Sequence, residues 1–334
     1  MYNPRKKEAF LKMGGLFFAA LFFFSGCGKT TVSSEPETAV GFALDTVISV
    51  TIYGGKEGLA DDCISMCETY DSLFSRTKEG SDIYKINHAG GSPVEVSEET
   101  ISLLETALSY SELSDGAFDC TIAPVSSLWN FQNDSGTLPD PETLAKAVSL
   151  VDYRTVEVKD QTVTLENPKA ALDLGGIAKG YIADRLQDFL TEKGVTGAVI
   201  NLGGNVLTVG EKPDGSLWKI AIQKPFAEKG EALDAVSLKQ GSVVTSGVYE
   251  RYFYKDGILY HHLLDPSTGY PVKNDLYAVT ILSKHSVDGD ALSTICFVLG
   301  YEKGAELIRS LNMPGLEAIF VFSDETMEKV SSTT

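Results

Sequence analysis

A short apolar run that closes on two glycines and opens at once into a helix, Asp173-Leu-Gly-Gly-Ile-Ala-Lys-Gly-Tyr-Ile-Ala-Asp184, limits the folds open to this chain more than any other segment. Glycines at such a junction let backbone come close to a ligand, and the first turn of a helix offers N–H groups to a phosphate. Asp173 on one side and Lys179 in the first turn add charges of both signs to the same spot. A dinucleotide-binding sheet would repeat this strand–glycine–helix unit in regular βαβ alternation. Here it is not repeated, so a Rossmann reading fails.

The surrounding pattern is mixed. Asp45 to Tyr53 alternates as a strand, and Leu59, Cys63, Met66, Tyr70 and Phe74 recur at helical spacing. Ile101, Leu104, Leu108 and Leu113 mark a second helix, and Asp140-Pro141 opens a third that ends near Leu150. A hairpin over 155–158 and 162–165 leads into a strand ending at Asp173, and the helix through Ile182, Leu186 and Phe189 stops at Gly194. Strands follow over 197–202, 218–223, 235–238, 250–254 and 258–264, with Asp256-Gly257 as a hairpin turn. A further strand spans 277–282, Ser286 caps a helix to Gly300, and a last strand covers 316–322. Hairpins beside separate helices predict an α+β fold of mostly antiparallel sheets packed with helices.

The N-terminus carries an address. Arg5, Lys6, Lys7 and Lys12 precede the apolar run Met13 to Phe24, and Ser25-Gly26-Cys27 follows. Basic start, apolar middle and small residues before a cut are the pattern of a signal peptide, and the apolar run is shorter than the roughly 20 residues a spanning helix needs. Cys27 after Phe-Ser-Gly resembles the lipobox of bacterial lipoproteins, in which the cysteine is acylated; an ordinary cleaved signal or a short anchor is the alternative. The expected organisation is a signal peptide over 1–26, a flexible tether over 27–40 and a catalytic domain over 41–334. The formal charge is −18, and losing the four basic and one acidic residues of 1–26 leaves −21. So acidic a body is repelled by nucleic acid and by anionic headgroups, so membrane association falls to the lipid. Cys63, Cys67, Cys120 and Cys296 form no pair of CxxC knuckles; Cys63 and Cys67 read as core positions of one helix.

Further segments have chemical potential. Asp290 and Thr294, four apart on a helix, share one face, and a carboxylate with a hydroxyl suits a hard cation such as Mg²⁺. The plain alternative is an exposed Asp and a Thr bonding back to a helical carbonyl. Thr245-Ser-Gly247 can line a phosphate or simply turn the chain. His261 and His262 stand before the turn Asp265-Pro-Ser-Thr-Gly269; on a strand they point to opposite faces, so they cannot share a metal. Ser114-Asp-Gly-Ala-Phe-Asp119 reads either as a loop entering a cleft or as a plain helix-to-strand turn.

Taken together, Leu44-Asp-Thr46, Asp115-Gly-Ala-Phe-Asp119, Asp173-Leu-Gly-Gly-Ile-Ala-Lys-Gly180, Asn201-Leu-Gly-Gly204, Thr245-Ser-Gly247, His262 to Pro271 and Asp290-Ala-Leu-Ser-Thr294 resemble the FAD:protein FMN transferases, the ApbE-type flavin transferases. The resemblance implies an ApbE-like, T-fold-like architecture and a Mg²⁺-dependent reaction: FMN is transferred from FAD to a threonine hydroxyl of an acceptor protein and AMP leaves. It implies metal ligation by Asp290, Thr294, Ser293 and a backbone carbonyl near Gly176, and FAD contacts from Leu44, Thr77, Ala117, Phe118, Asp119, Asp173, Lys179 and the backbone of Leu264. Thr77 stands where relatives often carry a flavin-stacking aromatic, with Tyr84 or Tyr249 as replacements. His262 is the general base by this reading and Asp265 its competitor. The implied partners are FAD, an acceptor protein of a membrane or extracytoplasmic electron-transfer system, and the bacterial membrane through the lipid on Cys27. An FAD pyrophosphatase using water, and a non-catalytic flavin-binding lipoprotein, remain as alternatives.

Overall fold

The computed structural model describes residues 35–131, 136–228 and 230–332. The expected signal segment, Cys27 and the first part of the tether lie outside these residues. In chain order the strands are β1 Glu37–Ala43, β2 Thr46–Ile52, β3 Val94–Glu95, β4 Val156–Lys159, β5 Thr162–Leu165, β6 Gly197–Leu202, β7 Asn205–Gly210, β8 Trp218–Gln223, β9 Ala232–Leu238, β10 Gly241–Gly247, β11 Tyr252–Lys255, β12 Ile258–His261, β13 Leu276–Ser283, β14 Glu317–Phe322 and β15 Met327–Ser331. The α-helices are α1 Leu59–Phe74, α2 Asp82–His88, α3 Glu98–Leu113, α4 Ala123–Ser126, α5 Pro141–Val148, α6 Ala178–Glu192 and α7 Ser286–Ser310.

An eight-stranded sheet in the order β1-β2-β6-β7-β10-β13-β14-β15 forms the frame, and every neighbouring pair in it is antiparallel. The α+β reading therefore holds. Period-two alternation explains the local choices: Ile48, Val50 and Ile52 of β2 are buried while their neighbours are less so. In α1, Leu59, Cys63, Cys67 and Phe74 make the buried stripe; burial pushes both thiols up to about 12, so they are inert core residues.

The alternation in β10 matters most. Ser242, Val244 and Ser246 all face α7: Ser242 Oγ donates to Ser286 Oγ at 2.9 Å, Val244 lies against Gly289, and Ser246 Oγ lies 2.8 Å from Ser293 Oγ. Val243 points the other way and packs with Ile222 of β8 and Val236 of β9. β10 is thus covered on both faces, which fixes α7 along it. A smaller apolar cluster of Val125, Trp129, Leu144, Ala147, Phe253 and Leu264 seats the 265–271 turn, with Trp129 Nε1 donating to the Gly269 carbonyl at 2.9 Å.

Several expectations change. Residues 37–40, expected in the tether, are the first half of β1 and pair with β2. The run before Asp173 is no strand: it makes one parallel bridge, Ile122 to Ala171, because Leu172 and Leu174 are buried on irregular backbone. Thr245-Ser-Gly247 is the end of central β10 rather than a turn. Ser286 is the first residue of α7 and not its cap; His285 occupies that position without a side-chain capping bond. At Gly300, φ 75° and ψ 177° break α7, and the helix resumes to Ser310.

Gly180 in α6 is where the two site-bearing helices meet. A Cβ there would stand 2.4 Å from the Ser286 carbonyl oxygen and 2.7 Å from Val287 Cα, all backbone that cannot rotate away. Alanine ordinarily improves a helix by about 1 kcal/mol over glycine. Gly180→Ala is expected to do the opposite, lowering stability by about 1–3 kcal/mol through overpacking. Denaturant midpoints at unchanged m-value measure it, and a neutral or stabilising result would contradict the contact.

Candidate functional site

Two helices meet at the Asp290 carboxylate. Lys179 and Gly180 lie in the first turn of α6, and Asp290 lies one turn into α7. Asp290 is buried, accepts the Gly180 N–H at 2.9 Å and stands 3.4 Å from Lys179 Nζ. Lys179 Nζ also donates to the Gly175 carbonyl at 3.2 Å, which ties the glycine junction to α7. The α6 terminus therefore differs from the expected open phosphate cradle, since Gly180 gives its N–H to a carboxylate.

Gly176 is wedged between Phe118 and Thr294: a Cβ there would lie 3.1 Å from the Phe118 ring and 3.8 Å from Thr294 Oγ1. Thr294 and Ser293 bond back to the Asp290 carbonyl at 3.5 and 3.1 Å, as helical hydroxyls commonly do. Both also meet Ser246, at 3.2 and 2.8 Å. The structure thus brings Gly176, Phe118, Lys179, Asp290, Ser293 and Thr294 to one place, and adds Ser246.

Asp173 closes the near side. Its carboxylate accepts the Gly175 N–H at 3.0 Å and the Ser126 hydroxyl at 2.9 Å, and lies 3.3 Å from Arg76 Nε. Arg76 Nη1 also donates to Ser127 Oγ at 2.6 Å. Sequence reading misses Arg76 and Ser126 because an arginine in the turn after α1 and a serine in a four-residue helix carry no periodic or motif signal. Ser246 was visible only as part of Thr245-Ser-Gly247.

Other predicted residues do different local work. The buried Asp119 carboxylate accepts from Thr121 N and Oγ1 at 2.8 and 2.6 Å and from Tyr153 N at 3.0 Å, and burial pushes its pKa up. Asp119 thus shapes the loop that Asp115 (φ 49°) and Gly116 (φ 78°) turn, while its neighbour Phe118 reaches Gly176. Ala117 donates its N–H to Ser114 within the same turn. Leu44, with φ 55°, forms the β1–β2 turn together with Asp45. Thr77 bonds to Ser75 on an exposed loop, and Tyr84 stacks on His88 at 3.9 Å. Tyr249 lies under Gly247 with a buried, unpartnered hydroxyl. Leu264 is bridged to Pro271, and Asp265 Oδ1 accepts from Ser267 N and Oγ at 2.8 and 2.7 Å, a turn-forming role.

The two histidines separate as strand geometry requires. His261 Nε2 lies 3.1 Å from the Val272 carbonyl oxygen and its ring meets Phe297 edge-on, so it belongs to the core. His262 has a buried Nδ1 without a partner. Burial, then the positive charge of Arg251, holds its pKa down to about 3, and Lys179 contributes in the same direction. The field of Lys179 therefore reaches this imidazole, which is neutral at pH 7.

A mixed sheet-and-helix protein whose site pairs a lysine with a buried carboxylate and gathers hydroxyls beside a diglycine junction is of a kind that handles phosphate esters. The model of the ApbE family matches residues 44–320, and the chain belongs to that family. It is 40% identical over 277 residues to an FAD:protein FMN transferase of Klebsiella pneumoniae, covering 82% of this chain and 85% of that one. An FAD:protein FMN transferase of Treponema pallidum is 33% identical over 335 residues, with 93% and 91% covered. The crystal structure of the ApbE protein from Thermotoga maritima superposes with a TM-score of 0.81 at 33% identity, covering 89% of this chain and 97% of that one.

The histidines predict acid sensitivity. Their folded pKa values, about 4 for His261 and about 3 for His262, lie below the ordinary 6.5. Between pH 6.5 and about 4 the unfolded chain takes protons that the folded chain refuses, so stability falls as pH drops through that window. His262→Gln is expected to lose about 2 kcal/mol less than the parent between pH 7 and 5, read from denaturant unfolding at both pH values. Equal losses would show that His262 is not held neutral by the fold.

Proposed function

We propose that the chain is an FAD:protein FMN transferase that joins FMN through its phosphate to a threonine of an acceptor protein and releases AMP. The observation that carries this reading is the cluster of Lys179, Asp290, Ser293, Thr294 and Ser246 beside the Gly175-Gly176 junction, in a chain of this family. Phosphoryl transfer asks a protein mainly for charge neutralisation and for in-line placement of nucleophile and leaving group.

The donor set fits Mg²⁺. It is all oxygen, one carboxylate with hydroxyls and carbonyls, the donors a hard cation takes. Asp290, Thr294, Ser293 and the Gly176 carbonyl would hold the ion, which when bound neutralises phosphate oxygens. Lys179, 3.4 Å from Asp290, would hold a phosphate oxygen beside it. Asp173, fixed by Arg76, Ser126 and the Gly175 N–H, keeps the glycine junction open to the flavin nucleotide. Phe118 walls the site behind Gly176 and excludes water. Leu44, Thr77, Ala117 and Leu264 line the rest of the FAD cleft in this reading.

In the transfer, the threonine oxygen attacks the FMN phosphorus, the bond to the AMP phosphate breaks, and AMP takes the departing electron pair. His262 accepts the threonine proton. It is preferred to Asp265, whose Oδ1 accepts from Ser267 N and Oγ in a turn-forming role. A neutral imidazole with so low a pKa is a weak base. Burial is the main cause of that low value, so a pyrophosphate beside Lys179 offsets only its smallest part. The protein acts outside the cytoplasmic membrane, held by an acyl chain on Cys27, on an acceptor of an electron-transfer system.

The test incubates the protein with FAD and Mg²⁺, with and without an acceptor domain, and follows AMP release and flavin fluorescence in denaturing gels. Both are expected only when the acceptor is present. AMP without acceptor would make the chain a pyrophosphatase, and no AMP in either case would make it a binding protein. His262→Ala is expected to lower the transfer rate by about a hundredfold while FAD still binds. An unchanged rate in that variant would remove His262 from the reaction.

A further inference from the structure

α7 lacks a cap of its own, yet its first N–H groups are not free. Asp184, on α6, reaches across: its Oδ1 accepts the Ser286 N–H at 2.7 Å and its Oδ2 the Val287 N–H at 2.9 Å. These are the bonds an N-capping side chain normally makes from within its own helix. The negative charge also suits the positive end of the helix dipole.

The contact has a matching partner one turn away. Gly180 and Asp184 stand four apart on α6, and Ser286 and Asp290 stand four apart on α7. Asp184 holds the Ser286 end, and the Gly180 N–H holds Asp290. The two helices are therefore clamped at two points, and Lys179 lies within the clamped turn. Ser286 extends the joint to the sheet, since its hydroxyl donates to Asn205 Oδ1 at 2.7 Å and receives the Ser242 hydroxyl at 2.9 Å.

Asp184 is expensive to keep as a charge. It is buried, and desolvation is the main cause that raises its pKa to about 6, offset in part by the two N–H bonds and by His285. Asp288, itself bonded to the Tyr110 hydroxyl at 2.6 Å, adds a like charge nearby. A neutral residue would avoid that cost. What offsets part of that cost is the pair of N–H bonds at the start of α7.

We propose that Asp184 is a positioning residue for the transfer reaction, capping α7 from α6 so that Asp290 and Thr294 stand in fixed register with Lys179 and Gly176. The inference rests on the proposed transferase reading, but its structural half does not.

The test uses the full chain in detergent with Asp184→Ala and Asp184→Asn. Turnover and Mg²⁺ requirement are read from AMP release with acceptor present, folding from thermal melting, and the α7 start from hydrogen exchange of residues 286–290. Asp184→Ala is expected to lower kcat by about ten- to a hundredfold and to raise the Mg²⁺ concentration for half-maximal rate about tenfold, as for loss of a group supporting metal ligands. KM for FAD at saturating Mg²⁺ should move less than about threefold. Exchange over 286–290 should quicken while the β6 and β13 amides keep wild-type protection. Asp184→Asn, whose amide oxygen still accepts one N–H, should fall between the two, and it keeps the test open if the alanine variant does not fold. Wild-type kcat and Mg²⁺ requirement in a folded variant would overturn the role in catalysis, and unchanged exchange would overturn the clamp. Absence of AMP release from the wild type would instead remove the transferase reading, with the exchange difference still deciding the clamp.

Discussion

The close approach of α6 to α7 at Gly180 is the contact on which the rest of the site depends. A side chain of any size at that position would strike the Ser286 carbonyl. Because there is none, the Gly180 N–H can reach Asp290, and Lys179 next to it comes within 3.4 Å of the same carboxylate. The glycine thus does not serve as a flexible hinge here; its φ is ordinary for a helix, and what it supplies is room.

The sheet fixes the second coordinate. Ser242, Val244 and Ser246 run along one face of β10, and α7 follows them from Ser286 to Thr294. This arrangement explains why Thr245-Ser-Gly247 was hard to read. Small hydroxylated residues and a glycine usually announce a turn. In β10 the serines are small because a helix lies against them, and Val243 on the opposite face is covered by the β8–β9 hairpin. Local composition cannot distinguish a turn from a strand whose face is filled by a neighbouring helix.

Half of the frame was legible for simple reasons: β2, β6, β13 and β14 read as strands, whereas β1, β7, β10 and β15 did not. Helices α1, α3 and α6 carry clear apolar spacing, Asp140-Pro141 marks the start of α5, and Asp256-Gly257 sits in the hairpin turn with φ of 51° and 76°. What escaped was set by tertiary contact. The run up to Asp173 has the apolar content of a strand, yet its partners are the core and one bridge to Ile122. β1 looked like tether because it follows a Ser/Thr-rich polar stretch and contains Glu37 and Ala39, mildly poor strand formers, and only pairing with β2 makes it a strand. In the site, Asp173, Gly176, Lys179, Asp290 and Thr294 could be found from spacing and chemistry. Arg76 and Asp184 could not, since each acts on a residue about a hundred positions away.

Electrostatics then shape how an anionic substrate meets so acidic a chain. With a formal charge of −18 the chain repels a nucleotide at long range, but at physiological salt that repulsion fades within about 8 Å. Local cations decide the rest. Lys179 and Arg76 are each held beside a carboxylate, Asp290 and Asp173, so each is both placed and partly neutralised before substrate arrives. On the proposed reading, a bound pyrophosphate competes with Asp290 for Lys179, and the carboxylate so released is free for a cation. The same shift touches His262 little, because burial and then Arg251, rather than Lys179, hold its pKa down. Substrate binding would therefore act first on the Lys179–Asp290 pair, where the one cation and the one buried carboxylate of the cluster already face each other.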